Sequence, residues 1–391
     1  MLKKLPLFVR HTFYYDMKAA ILFGIFGGAF LPFIAIVGRK IGATEFQIAL
    51  LMAAPYIANA FALLWTEDVF GTGRVWYVVW PNVAGRAALI GMFFVASPFI
   101  YTLIIFIYMI ITAIPFPSYA SVMKTNYPDK ERGRLMGYIR VGTACSWIAA
   151  STAVGWILEK GTIHYHYIFP VAALFGILSA LEFGNIKVRR EIKQRENLAG
   201  FSHITAPLKD ESFRVFLLVY SIFEFGLLLV LPLFPLIQVD KAHIPNFVAG
   251  IFGTIFAGMW LAGFFFWGRF VDKHPLKSLL AWLFFVASGL PFIYLFTYDL
   301  WFLAVAQGVA GFIFAAIELI GYVVITRMAS PKETPRYMAV HTVLGGVRGA
   351  TAPFLGPIIM NSFGPDIAFG ASALLMVSAL FFIKAKRGLM I

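Results

Sequence analysis

Cysteine is almost absent from this sequence: Cys145 is the only one in 391 residues. An internal disulfide is excluded, and so is a metal site built from several thiolates. Charge is scarce too, at 13% of residues where soluble domains carry about 25%. Polar stretches are short except for residues 186–212, so no other segment could fold as a soluble domain. A phosphate-binding loop of the type G-x-x-x-x-G-K-[ST] does not occur. Nor do His, Asp, Ser and Cys cluster near one end of the apolar runs, as a membrane enzyme requires. These absences argue against a polytopic enzyme and against a sensor with an appended soluble domain.

Apolar residues fill the gap: 60% of the chain is hydrophobic and 42 residues are Phe. A water-soluble fold could not bury that much apolar surface without large exposed patches, so the chain reads as an all-α membrane protein. Its first apolar run, Ala19 to Val37, follows Lys3, Lys4, Arg10 and Lys18. The run is long enough to span a bilayer and no small-x-small cleavage pattern follows, so it reads as a retained helix.

Apolar runs of spanning length fall at 17–37, 45–65, 75–96, 99–121, 135–158, 165–185, 213–237, 246–267, 277–296, 300–325, 337–361 and 366–384. Twelve transmembrane helices are expected. With the N-terminus placed in the cytoplasm, 25 Lys and Arg lie on the inside, 4 on the outside and 3 within spans. That asymmetry puts both termini on the cytoplasmic side. It also assigns the net charge of +13 to topology and anionic lipid rather than to nucleic acid. The polar stretch separates residues 1–185, an N-terminal six-helix bundle, from 213–391, a C-terminal one, with 186–212 as a cytoplasmic linker.

The two halves repeat. At an offset of 203 residues Lys277 falls on Arg74, Pro331 on Pro128 and Gly345 on Gly142, while Asp272 falls one position from Asp68. "WTEDVFGTGR" (65–74) thus pairs with "GRFVDKHPLK" (268–277), each between the second and third spans of its half. Two parallel six-helix repeats follow.

These stretches resemble the major facilitator superfamily, whose signature between spans two and three is G-x-x-x-D-K/R-x-x-x-R/K. Gly268, Asp272, Lys273 and Lys277 match it; in the first half Trp65 and Val69 depart from it, while Asp68 and Arg74 remain. "RKIGATEFQIALL" (39–51) is similar to the family's stretch after span one. The resemblance covers the whole chain. It implies two pseudo-symmetric bundles around a central cavity and transport of a small molecule by alternating access. Under it, Asp272 is expected to face the start of span five near Arg134, and Asp68 the start of span eleven near Arg336, as cytoplasmic latches. The family's proton-linked drug exporters usually carry an arginine in span four and a proline-glycine pattern in span five, which this chain lacks.

Ionisable residues inside the spans each need a reason, because a charge at mid-membrane costs about 2.5–3.5 kcal/mol on insertion scales. Arg86, Glu224 and Arg348 fall near the middle of their spans, and Glu318 roughly 12 Å in from the cytoplasmic side at 1.5 Å per residue. Gln307 and Glu318, eleven apart, share a helix face, as do His341 and Arg348, seven apart. The sequence therefore suggests a protonatable cluster of Glu318, His341 and Arg348. Glu224 has Tyr220 and Ser221 beside it and no obvious local cation to pair with it. Arg86 and Arg140 are buried charges whose role the sequence leaves open. The leading reading is proton-coupled efflux of an amphiphilic compound; the alternative is an organic-anion transporter. No cofactor, metal or nucleic-acid partner is expected. A monomer is expected, multi-pass in a prokaryotic inner or plasma membrane, with a small-molecule substrate, protons and lipid as partners.

Overall fold

The computed structural model describes residues 5–69, 75–95, 97–114, 116–161, 164–188, 206–330 and 333–385. Among these the regular structure is entirely helical. In chain order the helices are α1 (Leu7–Phe30), α2 (Ile34–Lys40), α3 (Glu45–Val69), α4 (Trp76–Ala88), α5 (Pro98–Ala113), α6 (Phe116–Asn126), α7 (Asp129–Glu159) and α8 (Tyr165–Gly184). After them come α9 (Glu211–Val230), α10 (Leu233–Asp240), α11 (Asn246–Lys273), α12 (Leu276–Phe296), α13 (Leu300–Met328), α14 (Thr334–Phe363) and α15 (Pro365–Ala385). Nine stretches among the described residues are long and apolar enough to cross a membrane, the continuations α1–α2 and α9–α10 each counting as one. The runs expected as spans two, three and four correspond to α3, to α4 with a 3-10 turn over Leu89–Phe94, and to α5 with α6.

Prolines set several boundaries. The first run breaks at a 3-10 turn, Leu31–Phe33, which contains Pro32, and the seventh breaks between α9 and α10 at Pro232. Each proline lacks an N–H, so one helical hydrogen bond is lost there. Positive φ is needed where chains turn sharply: Gly364 at 90° ends α14 and Gly42 at 96° follows α2. Asp210 Oδ1 caps α9 by accepting from the amides of Ser212 and Phe213, and its Oδ2 accepts from Tyr337 Oη at the start of α14. Corresponding helices open at nearly constant intervals: Glu45 and Asn246, Pro98 and Leu300, Tyr165 and Pro365 stand 201, 202 and 200 residues apart.

Two compact units result. The first comprises Met1–Ala43, Phe61–Asn197 and Pro245–Thr254. Here α1 packs on α7 and α8, and α4 on α8 and α5. Gly24 and Gly28 let the backbones of α1 and α7 come close: a Cβ at Gly28 would lie 2.3 Å from the Trp147 carbonyl oxygen. Ser179 Oγ of α8 donates to Ala19 O of α1 (2.7 Å). Around Val9, Val79, Met123 and Leu135 lies an apolar core. The end of α7 crosses the start of α11 where Gly155 meets Gly250, and Ser151 Oγ donates to Gly250 O (2.9 Å).

The second unit comprises Thr44–Ala60, Leu198–Ile244 and Ile255–Ile391. In it α9 packs on α15 and α14, and α12 on α15 and α13. The first half of α3 lies along α14, with Gly346 against Ala60, Gly349 against Tyr56, and Phe46 5.0 Å from Phe354 between ring centroids.

Large apolar side chains cover the outer faces. Phe94, Phe296 and Trp301 are each more than 80% exposed, which suits lipid and not water. Cys145 is exposed.

The close helix crossings generate a prediction. A Cβ on Gly311 would sit 2.3 Å from the Phe256 carbonyl oxygen, so α13 and α11 would have to separate, whereas Gly289 has open space around it. Gly311→Ala is expected to lower stability by about 1–3 kcal/mol, and Gly289→Ala by less than about 0.5 kcal/mol. Thermal unfolding in detergent measures both; equal midpoints would show the crossing is not tight.

Candidate functional site

Glu224 lies near the middle of the α9–α10 run and Arg348 near the middle of α14. The second unit packs these two helices together and brings the charges into contact. Arg348 Nε donates to Glu224 Oε2 (2.8 Å), and Nη1 donates to Ser221 Oγ (2.6 Å), which itself donates to Leu217 O (2.5 Å). Nη2 approaches the same carboxylate oxygen to 2.5 Å. That contact is an ion pair, and Nη2 has no hydrogen-bond partner besides it. The two side chains are 7% and 12% exposed, so the pair is desolvated and screened little by salt.

Aromatic rings surround the pair. The Arg348 guanidinium lies 6.0 Å from the Tyr220 ring centroid, and the His341 ring meets Tyr220 edge-on at 5.1 Å and stacks on Phe216 at 5.8 Å. Phe223 stacks on Phe284 of α12 at 4.3 Å. Tyr56 of α3 lies within the electrostatic reach of both Glu224 and Arg348. His341 Nδ1 is buried without a hydrogen-bond partner. Gly345, between His341 and Arg348 on α14, lacks the Cβ that would lie 3.6 Å from Nη2.

This arrangement corrects the expected cluster. The carboxylate facing Arg348 is Glu224, and Glu318 is exposed on α13, where its Oε1 accepts from Trp260 Nε1 (3.1 Å). His341 keeps its place beside Arg348, so two of the three residues stay together. Gln307 does not join Glu318. It lies with Tyr294, whose hydroxyl accepts from Gln238 Nε2 (2.8 Å). Eleven residues along a helix return to the same face but sit about 16 Å away.

The remaining sequence candidates occupy other places. Arg86 is 5% exposed; its Nη1 donates to Gly176 O, and its guanidinium lies 5.5 Å and 5.2 Å from the rings of Phe23 and Phe26. It holds α4, α8 and α1 together by a carbonyl and two aromatic faces. Asn82, one turn before it, donates to Val78 O on the same helix. Arg140 exerts its charge on Asp16 and Tyr119. Arg134 pairs with Glu131 one turn away. Asp272 and Lys273 are exposed at the end of α11, Gly268 is one turn before them, and Lys277 Nζ donates to Lys384 O (3.1 Å). Arg336 stands in the first turn of α14. The side chain of Asp68 and the whole of Arg74 lie outside the described residues.

Two arrangements escaped sequence reasoning. Arg327, at the end of α13, donates through Nη2 to Val271 O (2.7 Å) and through Nη1 to His274 O (3.2 Å), capping the C-terminus of α11 at its charged motif. Asp16 is 2% exposed and accepts from Tyr127 Oη (2.8 Å), next to a hydrogen bond from Asn126 Nδ2 to Thr12 Oγ1 (3.1 Å). Its place one residue outside the expected first span hid it as an ordinary flanking charge.

Comparison with known proteins follows the same lines. The sequence profile of the Major Facilitator Superfamily matches residues 18–296 and 216–388. Among solved structures, the nucleoside transporter NupG superposes with a TM-score of 0.71 at 16% identity, covering 96% of this chain and 100% of that one. A bacterial homolog of the human lysosomal transporter Spinster, in an inward-facing and unoccupied conformation, gives 0.63 at 16% identity over 97% and 95%. Its occupied form gives 0.61 at 16% identity over 95% and 94%. No curated protein matches the chain in sequence. At these identities the likeness is one of fold.

The ion pair generates a double-mutant prediction. Glu224→Leu leaves a buried, unpaired guanidinium and is expected to cost about 3–5 kcal/mol, as is Arg348→Leu for the carboxylate. The double substitution should recover most of the loss. Thermal midpoints of the four proteins in detergent test the coupling; additive losses would mean the pair is not desolvated.

Proposed function

The chain belongs to the major facilitator superfamily, and on that premise we propose that it is a secondary active transporter moving a small amphiphilic molecule by alternating access, coupled to protons. The helices serve as twelve spans in two six-helix repeats, 1–185 and 213–391, joined by the cytoplasmic linker 186–212. The Lys and Arg bias supports placing both termini in the cytoplasm. A prokaryotic cell membrane is the proposed location, and the monomer the proposed working form.

One observation carries the reading. An acid and a base meet halfway through two long helices, nearly excluded from solvent, inside an aromatic shell. A structural ion pair could sit nearer the helix ends at lower cost. At mid-depth it is placed where a carrier holds its cargo, and Glu224 is a carboxylate a proton can neutralise. Export is the proposed direction, in keeping with the aromatic interior that suits an apolar cargo. A second reading, transport of an organic anion, is favoured by Arg348, a buried guanidinium whose Nη2 has only the ion-pair contact with Glu224.

Reconstitution tests the proposal. Purified protein in liposomes with an imposed pH gradient is expected to accumulate labelled amphiphiles against their concentration gradient. Glu224→Gln should abolish gradient-driven accumulation, measured per amount of folded protein reconstituted. Glu318→Gln, which keeps an acceptor for Trp260, should retain it. Loss in the Glu318 variant and not in the Glu224 variant would move the coupling site to α13; no movement by the wild-type protein would refute transport.

A further inference from the structure

We infer that the cargo is an amphiphilic organic acid whose carboxylate replaces Glu224 on Arg348 once Glu224 is protonated, so that one anion and one proton bind together. The inference rests on the reading that this pair lies on the transport path, and it departs from the export direction proposed above, because an anion and a proton bound together move the same way. It adds the chemical class of the cargo and the order of charge exchange.

Charge balance carries the argument. Arg348 faces one acid, Glu224, and the pair is neutral as it stands. A second carboxylate beside the ionised pair would leave two anions on one guanidinium, an uncompensated charge in a site nearly shut off from solvent. A proton on Glu224 removes that excess. The guanidinium then needs an anion, and the cargo supplies it. Site plus anion plus proton gives a complex with the charge of the empty site, and no other ion is required.

The atoms are arranged for such an exchange. Both contacts from Arg348 converge on Glu224 Oε2, which leaves Oε1 for the proton. Nη2 is buried, meets Glu224 Oε2 as an ion pair with no hydrogen-bond partner besides, and stands 3.6 Å from where a Cβ on Gly345 would lie. A cation would find Glu224, the carboxylate facing Arg348 among the described residues, already occupied. A neutral molecule would gain nothing from the proton.

The rest of the shell fits an apolar body with a second polar end. Phe216, Tyr220 and Phe223 line the α9 side. His341 Nδ1, also buried without a hydrogen-bond partner, belongs to a residue about 10 Å along α14 from Arg348. That is too far for the same carboxylate, so it would meet a separate polar group. The titratable groups facing Glu224 are Arg348 and His341 from α14, Tyr56 from α3 and Tyr220 from its own helix. Packed from α12 is the ring of Phe284, and from α15 Ser372 donates to Gly226 O (2.7 Å). Neither adds charge.

Equilibrium binding to the full-length protein in detergent tests the inference, with octanoate, benzoate and indole-3-acetate as probes and their amides as neutral counterparts. Wild type is expected to bind the acids in preference to the amides, taking up one proton per acid in weakly buffered solution. Its affinity should fall about tenfold per pH unit above the titration of Glu224. Glu224→Gln should bind the acids with affinity flat from about pH 6 to about pH 8 and without proton uptake. Arg348→Lys, which keeps the charge and so the fold, should weaken the acids more than the amides. Amides binding as tightly as acids, a Glu224→Gln profile that follows wild type, or no acid bound at all would each overturn the inference. Gradient-driven movement of amphiphiles with pH-independent binding would sink the exchange and keep the transporter. Stoichiometric acid and proton binding without movement in liposomes would do the reverse.

Discussion

Arg348 can stand halfway along a membrane helix because Glu224 stands opposite it. The requirement is severe. A lone guanidinium at that depth costs several kcal/mol, and so does a lone carboxylate. Only their contact, with Ser221 taking a further donor, brings the cost down. That contact fixes how α9 and α14 lie against each other, since a shift of one turn, about 5.4 Å, would separate the charges. Arg86 meets the same problem differently: a carbonyl oxygen accepts one of its donors and two phenylalanine faces lie against its plane. No acid is involved there, so a proton has nothing to switch. The first unit uses its buried arginine to join helices; the second keeps one whose partner can be neutralised.

Close helix approach is the other constraint on both units. Lipid-facing surfaces give no hydrophobic push between helices, so small residues and carbonyl-directed hydrogen bonds do the joining. The end of α7 and the start of α11 meet at Gly155 and Gly250, with Ser151 bonded across. The first half of α3 and α14 meet at Gly346 and Gly349, against Ala60 and Tyr56. In the repeat, α7 corresponds to α14 and α11 to α3. One packing device is thus used twice, once within each unit. The second use seats Tyr56 near the charged pair, so the device that packs α3 also completes the site.

Much of this was legible in the sequence, and what was not has a common cause. Run lengths and the repeat offset located the helices, because 20 apolar residues and a recurring polar break are properties of the chain itself. Pro32 and Pro232 lay in plain view, yet the breaks they cause within a run cannot be read from hydropathy. The partner of Arg348 was misassigned for a sharper reason. Helical periodicity tells which residues share a face of one helix, and it rightly placed His341 with Arg348. It does not tell which helix lies opposite. Glu318 and Glu224 were both acids inside spans, and choosing between them needs the order of helices in space, which two short loops do not determine. Asp16 was overlooked on the boundary error of a single residue: one position outside a run reads as solvated flank, while the structure extends the helix back to Leu7 and buries it.

The corrected pairing changes what the site can do. Had Glu318 held Arg348, the charges would have met on α13 and α14, helices adjacent in the chain. In the observed pairing the two partners come from α9 and α14, and one of these helices belongs to a run broken at Pro232. Protonating Glu224 removes the main attraction between two long helices at their midpoints and exposes a buried guanidinium to whatever can replace the acid. The lever and the load are then the same bond. Under the proposed proton coupling such a carrier needs no separate sensor, because the state of Glu224 decides both whether Arg348 is free and how firmly α9 and α14 are held together.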